Sequence, residues 1–257
     1  MKTFFFELCA ETLEAAKAGS EGGADRIELC SHLELGGLTP SPALLNATMQ
    51  AVSVPVFVLI RPRSGNFVYS DAEFTLMGAQ IEEARRAGAV GVVIGVLLPN
   101  GHIDIERSRR LVKLARPMQV TFHRAFDETP DLFEALEDVV ATGADCLLTS
   151  GGKAAVLHGA DVIARLARQA GDRIEIMAGG GLRLKSLAEV ARRSGVTSLH
   201  GSLLSHPCEP MSSLKTLSSD VRLVKEIMKE CAQIALSRCS LSNTRNGGAG
   251  GLKTEDL

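Results

Sequence analysis

Short β-rich segments recur along the chain at nearly even intervals, and this recurrence constrains the fold more than any other feature. The eight segments span residues 4–10, 26–30, 54–61, 91–97, 119–126, 146–150, 174–178 and 198–202. Subtracting successive first residues gives spacings of 22 to 37 residues. Most intervals carry one stretch with helical spacing of apolar residues, such as Leu132, Leu136 and Val139. Strands and helices alternating at this period form βα units around a parallel sheet.

Glycine precedes four of the segments and indicates where the preceding helices end. These glycines are Gly23, Gly88, Gly143 and Gly195. Glycine ends a helix in the left-handed conformation, so it predicts short helix-to-strand loops. The strand-to-helix connections, such as 61–71, are longer and more polar. Eight units with this asymmetry predict an α/β fold, a single (β/α)8 TIM barrel. A doubly wound open sheet is the alternative, but no GxGxxG fingerprint occurs.

Composition narrows the class of protein. With 257 residues, of which 45% are hydrophobic, the chain suits one barrel-sized domain. The net charge of −2 argues against a nucleic-acid partner. The longest apolar stretches, such as 52–60, are too short to span a membrane, and Glu7 interrupts the N-terminal apolar run too early for a signal peptide. Six cysteines without disulfide-framework spacing favour reduced thiols in a cytoplasmic compartment.

The composition changes after the eighth segment. A Ser/Pro-rich connection leads to a helix predicted from about Asp220 to 236, with Ser219 as its N-cap and an apolar stripe that includes Val221 and Val224. We expect this helix to close the barrel. Residues 1–236 therefore form the predicted TIM-barrel domain. Residues 237–257 are rich in Ser, Asn and Gly and are predicted to be a disordered C-terminal tail.

The first two segments share a Glu-x-Cys motif that is predicted to face the barrel lumen. Strand alternation separates Glu7 and Cys9 from their apolar neighbours, and it does the same for Glu28 and Cys30. The apolar sets suit contact with the surrounding helices, so the Glu-x-Cys pairs must point inward. If the two strands are in matching register, the two thiols lie side by side at the C-terminal mouth, where barrel active sites lie.

Further charged side chains converge on that mouth. Arg61 and Arg63 end the third segment, His123 and Arg124 end the fifth, and His200 lies in the eighth. Barrel interiors normally hold layers of Val, Ile and Leu, so a charged lumen is unusual. Isolated buried charges are strongly disfavoured. We therefore expect Glu7 and Glu28 to have partners among Arg26, Arg61 and His123.

Glycine-rich turns follow the last three segments and offer backbone N–H groups to an anion. Ser150 and Gly151 follow segment six, and Gly180 and Gly181 follow segment seven. Ser202 ends segment eight. Barrel loops at these positions frequently bind phosphate. Tight turns also require glycine, so the signal is only moderately specific.

Several ordered motifs resemble those of the CutC copper homeostasis proteins. They are Gly22-Gly23-Ala24-Asp25-Arg26-Ile27-Glu28-Leu29-Cys30, Gly36-Gly37-Leu38-Thr39-Pro40-Ser41, Ile60-Arg61-Pro62-Arg63, Tyr69-Ser70-Asp71, Val120-Thr121-Phe122-His123-Arg124-Ala125-Phe126-Asp127, Leu148-Thr149-Ser150-Gly151 and Met177-Ala178-Gly179-Gly180-Gly181. The match covers roughly residues 4–202. The resemblance implies a cytoplasmic TIM barrel, a homo-oligomer (dimer or tetramer), and a role in copper handling. It also implies that Cys9 and Cys30 bind Cu(I).

Two functional hypotheses follow. In the first, the protein holds one copper ion as Cu(I) between Cys9 and Cys30, since thiolates are soft ligands that select this ion. In the second, the protein is an enzyme acting on a small anionic, possibly phosphorylated metabolite. Glu7, Glu28 and His123 are its candidate catalytic residues for proton transfer. The candidate anion-binding residues are Arg61, Arg63, His123, Ser150, Gly151, Gly180, Gly181 and Ser202.

Overall fold

Eight parallel strands form a closed barrel in chain order. The computed structural model describes residues 4–203 and 214–245. The strands are β1 Phe5–Ala10, β2 Arg26–Leu29, β3 Val56–Leu59, β4 Gly91–Ile94, β5 Gln119–Phe122, β6 Cys146–Thr149, β7 Glu175–Gly179 and β8 Ser198–Gly201. The helices are α1 Leu13–Gly22, α2 Pro42–Ala51, α3 Asp71–Arg86, α4 Ile105–Ala115, α5 Leu132–Thr142, α6 Val156–Ala170, α7 Leu184–Ser194 and α8 Leu214–Arg245. The predicted (β/α)8 barrel is confirmed.

Local sequence signals set the helix boundaries. Ser70 and Glu73 form a capping box at the start of α3, in which each side chain accepts a hydrogen bond from the other residue's backbone N–H. Helices α1, α5 and α7 end at Gly23, Gly143 and Gly195, whose φ angles of 87°, 83° and 68° are left-handed. A side chain is strained at such angles, so glycine shortens the loop into the next strand.

Strand alternation separates two buried layers, as the sequence predicted. Phe6 and Leu8 of β1, and Ile27 and Leu29 of β2, are fully buried in the main core, which packs the barrel against its helices. The opposite faces form two smaller apolar clusters. One cluster contains Cys9, Cys30, Phe57, Leu59 and Val93, and the other contains Cys146, Leu148 and Met177. The charged residues of the lumen lie among these two clusters.

Strands β1 and β2 are offset from the register that would place the two Glu-x-Cys motifs level. Glu7 lies opposite Arg26, and Cys9 lies opposite Glu28. This offset pairs a carboxylate with a guanidinium instead of with the second carboxylate, and like charges directly opposite one another destabilise a sheet. It also places Cys30 one step beyond Cys9 toward the mouth.

The fifth strand is shorter than predicted. Strand β5 ends at Phe122, and residues Arg124–Glu128 form a 3-10 helix instead of continuing the strand. The imidazole of His123 explains the break, because its Nδ1 atom accepts a hydrogen bond of 3.1 Å from the Ala125 backbone N–H. This side-chain cap satisfies a donor that would otherwise lack a partner at the start of the turn.

The C-terminal helix is longer than the sequence pattern predicted. Helix α8 begins at Leu214 and ends at Arg245, so residues 237–245 are helical and do not belong to a structureless tail. Val221, Val224 and Met228 are buried in the main core, which gives α8 the barrel-packing role that its apolar stripe indicated. The remainder of the predicted tail, 246–257, lies outside the described residues. In the part of the chain that is described, no helix is long and apolar enough to cross a membrane.

Candidate functional site

Two thiols meet at the C-terminal mouth of the barrel. The Sγ atoms of Cys9 and Cys30 lie 3.6 Å apart, and both cysteines are free and buried. Cys30 Sγ also lies 3.6 Å from the carbonyl oxygen of Ala10. The register offset therefore does not separate the sulfur atoms, because Cys9 and Cys30 are diagonal neighbours on the same face of adjacent strands. Two sulfurs this close offer a paired site to one soft metal ion.

A histidine from the last strand joins this pair. His200 Nε2 lies 3.3 Å from Glu28 Oε2. The potential ligand atoms of Cys9, Glu28 and His200 all lie within 4.8 Å of one another. Sequence patterns indicated Glu28 only as a catalytic candidate, and they placed His200 among the polar groups of the mouth without a ligand role. Strand alternation indicated that His200 faces the lumen, because it lies on the same face of β8 as Ser198. Its position beside the β1 and β2 side chains depends on the closure of β8 onto β1, which strand alternation does not predict.

A buried ion cluster lies below the thiols. Glu7 is fully buried and accepts a hydrogen bond of 2.5 Å from Arg26 Nε, while its other oxygen lies 2.8 Å from His200 Nδ1. The Arg26 guanidinium carbon lies 3.8 Å from the ring centroid of Phe57 and 4.8 Å from that of Phe5. The aromatic faces and the carboxylate together stabilise the buried charge of Arg26. The predicted Glu7–Arg26 contact is present.

Burial and neighbouring charges shift the pKa values of this cluster in different directions. Burial opposes ionisation of Glu7, but Arg26 and His200 outweigh it and lower the pKa of Glu7. Burial likewise opposes a charged His200, yet Glu28, Cys9 and Glu7 raise the pKa of His200 well above its ordinary value. Burial raises the pKa of Glu28 to about 6, against the opposing charge of His200. Glu7 and His200 therefore form a charged pair at neutral pH.

The Cys9 thiol is held in its protonated form. Its hydrogen bond with Cys30, its burial and the nearby charge of Glu28 raise the pKa of Cys9 well above the usual thiol value. Each of these factors disfavours a thiolate in the absence of a cation. A metal ion must therefore displace a proton from this thiol when it binds.

A cavity of about 630 Å³ opens above the sulfur pair. This volume falls in the range of pockets that hold small organic molecules. Its lining includes most of the residues that sequence patterns assigned to the site. These are Cys9, Cys30, Glu28, Arg61, His123, Gly180, Gly181 and Ser202, together with His200. Glu7, Arg63, Ser150 and Gly151 are not part of the lining.

The two arginines that end the third segment have different environments. Arg61 lies on the cavity wall and donates hydrogen bonds to the backbone carbonyls of Leu35, Gly37 and Gly65. Arg63 turns away and pairs with Glu73 at 2.5 Å. Neither arginine contacts Glu28, whose partners are His200 and Cys9. The charge of Arg26 acts on Glu28 at longer range, but in the described residues no ion pair within 4 Å joins Glu28 to Arg26 or Arg61, so the expected contact with Arg26 is formed by Glu7.

The glycine-rich turn after β6 already holds an anion, the carboxylate of Asp127. This carboxylate accepts hydrogen bonds from the Thr149 hydroxyl, from the backbone and hydroxyl of Ser150, and from the Gly152 N–H. Gly151 N–H is directed to the Thr149 hydroxyl. Ser150 and Gly152 thus supply the backbone donors of this carboxylate-binding turn, Gly151 does not, and a side chain of the same chain occupies it.

The fold and the mouth define the class of the protein, a parallel (β/α)8 barrel that carries a sulfur, imidazole and carboxylate cluster at the C-terminal ends of its strands. The chain belongs to the CutC family, whose match covers residues 4–205. It is 41% identical over 242 residues to the human copper homeostasis protein cutC homolog, a match covering 94% of this chain and 87% of the relative. It is 47% identical over 197 residues to the mouse homolog, covering 77% and 72%.

Solved structures support the same assignment. The structure of the copper homeostasis protein CutC from Streptococcus agalactiae matches with a TM-score of 0.74 and 32% identity, covering 79% of this chain and all of that one. Thiamine phosphate pyrophosphorylase from Pyrococcus furiosus matches with a TM-score of 0.58 at 15% identity, covering 90% of this chain and 97% of that one. The second likeness concerns the barrel fold alone.

Proposed function

We propose that this protein is a cytoplasmic copper-handling protein that binds one Cu(I) ion per chain through Cys9 and Cys30. The observation that carries the proposal is the 3.6 Å separation of the two free thiol sulfurs at the barrel mouth. Thiolate sulfur is the side-chain ligand that Cu(I) prefers. The relatives named for copper homeostasis support the same assignment.

The donor set around the sulfurs fits a single soft cation. Cys9 and Cys30 supply the soft ligands, and the imidazole of His200, once it has lost a proton, lies close enough to Cys9 to add a nitrogen. Glu28 contributes negative charge beside the pair, which favours a bound cation. The cavity above the sulfurs provides an entry path from solvent. Bound copper would replace the thiol protons as the positive partner of the sulfurs.

The test is an anaerobic titration of the reduced protein with Cu(I) in the presence of a competing chromophoric chelator. We expect one-to-one binding by the wild type and its loss in the Cys9→Ser/Cys30→Ser double variant. Cys231→Ser is the matched control, because Cys231 is a partly exposed thiol on α8, outside the cavity lining. Equal, weak binding by the wild type and the double variant would contradict the proposal.

We further propose that the protein forms a homo-oligomer, a dimer or a tetramer, and works in the cytoplasm. Both statements rest on what the motif resemblance to CutC proteins implies, and exposed apolar side chains such as Leu76 and Leu223 supply surface that an interface would cover. Light scattering coupled to size-exclusion chromatography measures the oligomer mass, and a monomer at all concentrations would contradict self-association. Fractionation of cells expressing the tagged protein tests its location.

A second candidate function is an enzyme that acts on a small anionic metabolite. The cavity volume of about 630 Å³ favours it, because a single metal ion needs far less space. Of the candidate catalytic residues, Glu28 and His123 line the cavity, whereas Glu7 lies below it and is engaged by Arg26 and His200. A turnover screen with phosphorylated and carboxylated metabolites, using Glu28→Gln as the inactive comparison, tests this function. Turnover that is equal in the two proteins would exclude Glu28 from catalysis.

A further inference from the structure

We propose that the mouth cavity binds the oxyanion group of a small organic molecule, a carboxylate or a phosphate ester, at a subsite formed by Arg61, Phe67 and His123. These residues differ from those of the proposed copper site. The inference deepens the second candidate function by naming where the anionic end of its ligand lies. It rests on that function for ligand binding only, and it requires neither copper nor turnover.

The first observation is a buried positive charge that no carboxylate neutralises. Arg61 is only 6% exposed and lines the cavity. Its three hydrogen bonds all go to backbone carbonyls, which satisfy N–H groups but carry no net charge. Among the residues that the structure describes, no Asp or Glu oxygen lies within 4 Å of its guanidinium. A buried cation without an anion favours an anionic ligand strongly.

The second observation is an unpartnered donor on the same wall. His123 is 6% exposed, and its Nδ1 atom accepts a hydrogen bond from the Ala125 N–H. In the neutral imidazole the proton therefore resides on Nε2, which becomes a donor. His123 Nε2 is buried and has no hydrogen-bond partner among residues 4–203 and 214–245. A buried donor without an acceptor is costly, so an acceptor oxygen from a ligand would stabilise it.

The ring of Phe67 lies near both groups in the cavity lining. The Arg61 guanidinium carbon lies 5.0 Å from the Phe67 ring centroid, and the His123 ring centroid lies 4.9 Å from it. Phe67 is itself part of the lining. Burial and the charge of Arg61 lower the pKa of His123 to about 3, so His123 is a neutral donor throughout the physiological range. The subsite thus combines one fixed cation with one neutral N–H donor.

The other carboxylates of the cavity do not compensate Arg61. Glu28 faces His200, and Asp127 is bound by Arg124 and by the turn after β6. Glu128 is exposed to solvent. The charge of Arg61 therefore favours an anion from outside the chain. A carboxylate or phosphate oxygen of that anion also provides the hydrogen-bond acceptor that His123 lacks.

The test is an NMR titration of the reduced, copper-free full chain with two probes, inorganic phosphate and malonate, at constant ionic strength. The variant is His123→Asn, because an asparagine oxygen can replace Nδ1 as acceptor for the Ala125 N–H while the Nε2–H donor is lost. Arg63→Gln is the matched control, since Arg63 lies outside the lining and pairs with Glu73. The direct readout is the Nε2–H resonance of His123.

We expect at least one probe to shift the His123 Nε2–H resonance of the wild type. Loss of one hydrogen bond to a charged group should weaken the binding of the probe to His123→Asn about tenfold. The affinity of Arg63→Gln for the probe should equal that of the wild type. Tighter binding of phosphate assigns a phosphate ester, and tighter binding of malonate assigns a carboxylate. The inference is overturned if neither probe shifts the resonance, or if His123→Asn binds as tightly as the wild type. Probe binding together with no turnover in the metabolite screen would support this inference and contradict only the enzymatic candidate.

Discussion

Glu7 Oε1 lies 2.8 Å from His200 Nδ1, and this contact joins the first strand of the barrel to the last. Glu7 holds Arg26 through its other oxygen, and His200 reaches Glu28 through its other nitrogen. One carboxylate thus links the ion cluster of the lumen to the ligand cluster of the mouth. Changes at Glu7 should consequently affect both folding stability and the geometry around Cys9.

We expect Glu7→Gln to lower the free energy of unfolding by on the order of 3 kcal/mol. The amide keeps the shape but removes the charge, which leaves Arg26 and His200 buried without their shared anion. Urea unfolding followed by circular dichroism measures the change. Glu137→Gln is the control, because Glu137 pairs with Arg173 on the surface, where ion pairs contribute little. A wild-type stability for Glu7→Gln would show that the buried pair is energetically neutral.

The stabilisation contributed by His200 should depend on pH. Its folded-state pKa lies above the ordinary value of 6.5, so its contribution is complete below pH 6.5 and declines as pH rises through the folded-state pKa. We therefore expect the stability difference between wild type and His200→Gln to be largest near pH 6 and to shrink toward pH 9. Denaturant unfolding at several pH values measures this difference. If it stays constant over that range, His200 does not carry a charge in the folded protein.

Copper binding should become tighter as pH rises. The pKa of Cys9 is raised well above the usual thiol value, so the thiol is protonated at neutral pH and must lose its proton to bind a metal. Each displaced proton corresponds to about a tenfold rise in apparent affinity per pH unit. Competition titrations at pH 6, 7 and 8 check this slope. A flat profile would indicate ligands other than protonated thiols.

Gly91→Ala should destabilise the barrel. A Cβ atom at this position of β4 would lie 2.3 Å from the Phe57 ring, which also stacks on Arg26. Such overpacking costs about 1–3 kcal/mol. Gly78→Ala is a contrasting control, because its Cβ would lie 3.4 Å from Leu114 and alanine favours the helix by up to about 1 kcal/mol. Thermal unfolding of the two variants should therefore shift in opposite directions, and a shift in the same direction would contradict the packing explanation.

Local sequence patterns predicted the framework of the fold well. Alternation in β1 placed Glu7 and Cys9 in the lumen, and the glycines at 23 and 143 marked helix ends, because these features depend on residues close in sequence. The break after Phe122 was missed, since it depends on a hydrogen bond that the Ala125 backbone N–H donates to His123 Nδ1. The length of α8 was missed because a polar composition does not by itself end a helix.

Strand alternation and hydrophobic spacing are local properties, so the residues alone predicted that two Glu-x-Cys motifs face the lumen of a (β/α)8 barrel. The groups that meet in the lumen were set by long-range packing. The stagger of β1 against β2 placed Glu7 opposite Arg26, and closure of the barrel brought His200 to Glu7 and Glu28. Strand register and barrel closure arise from the packing of all eight strands together, so neither can be predicted from a single segment of the chain.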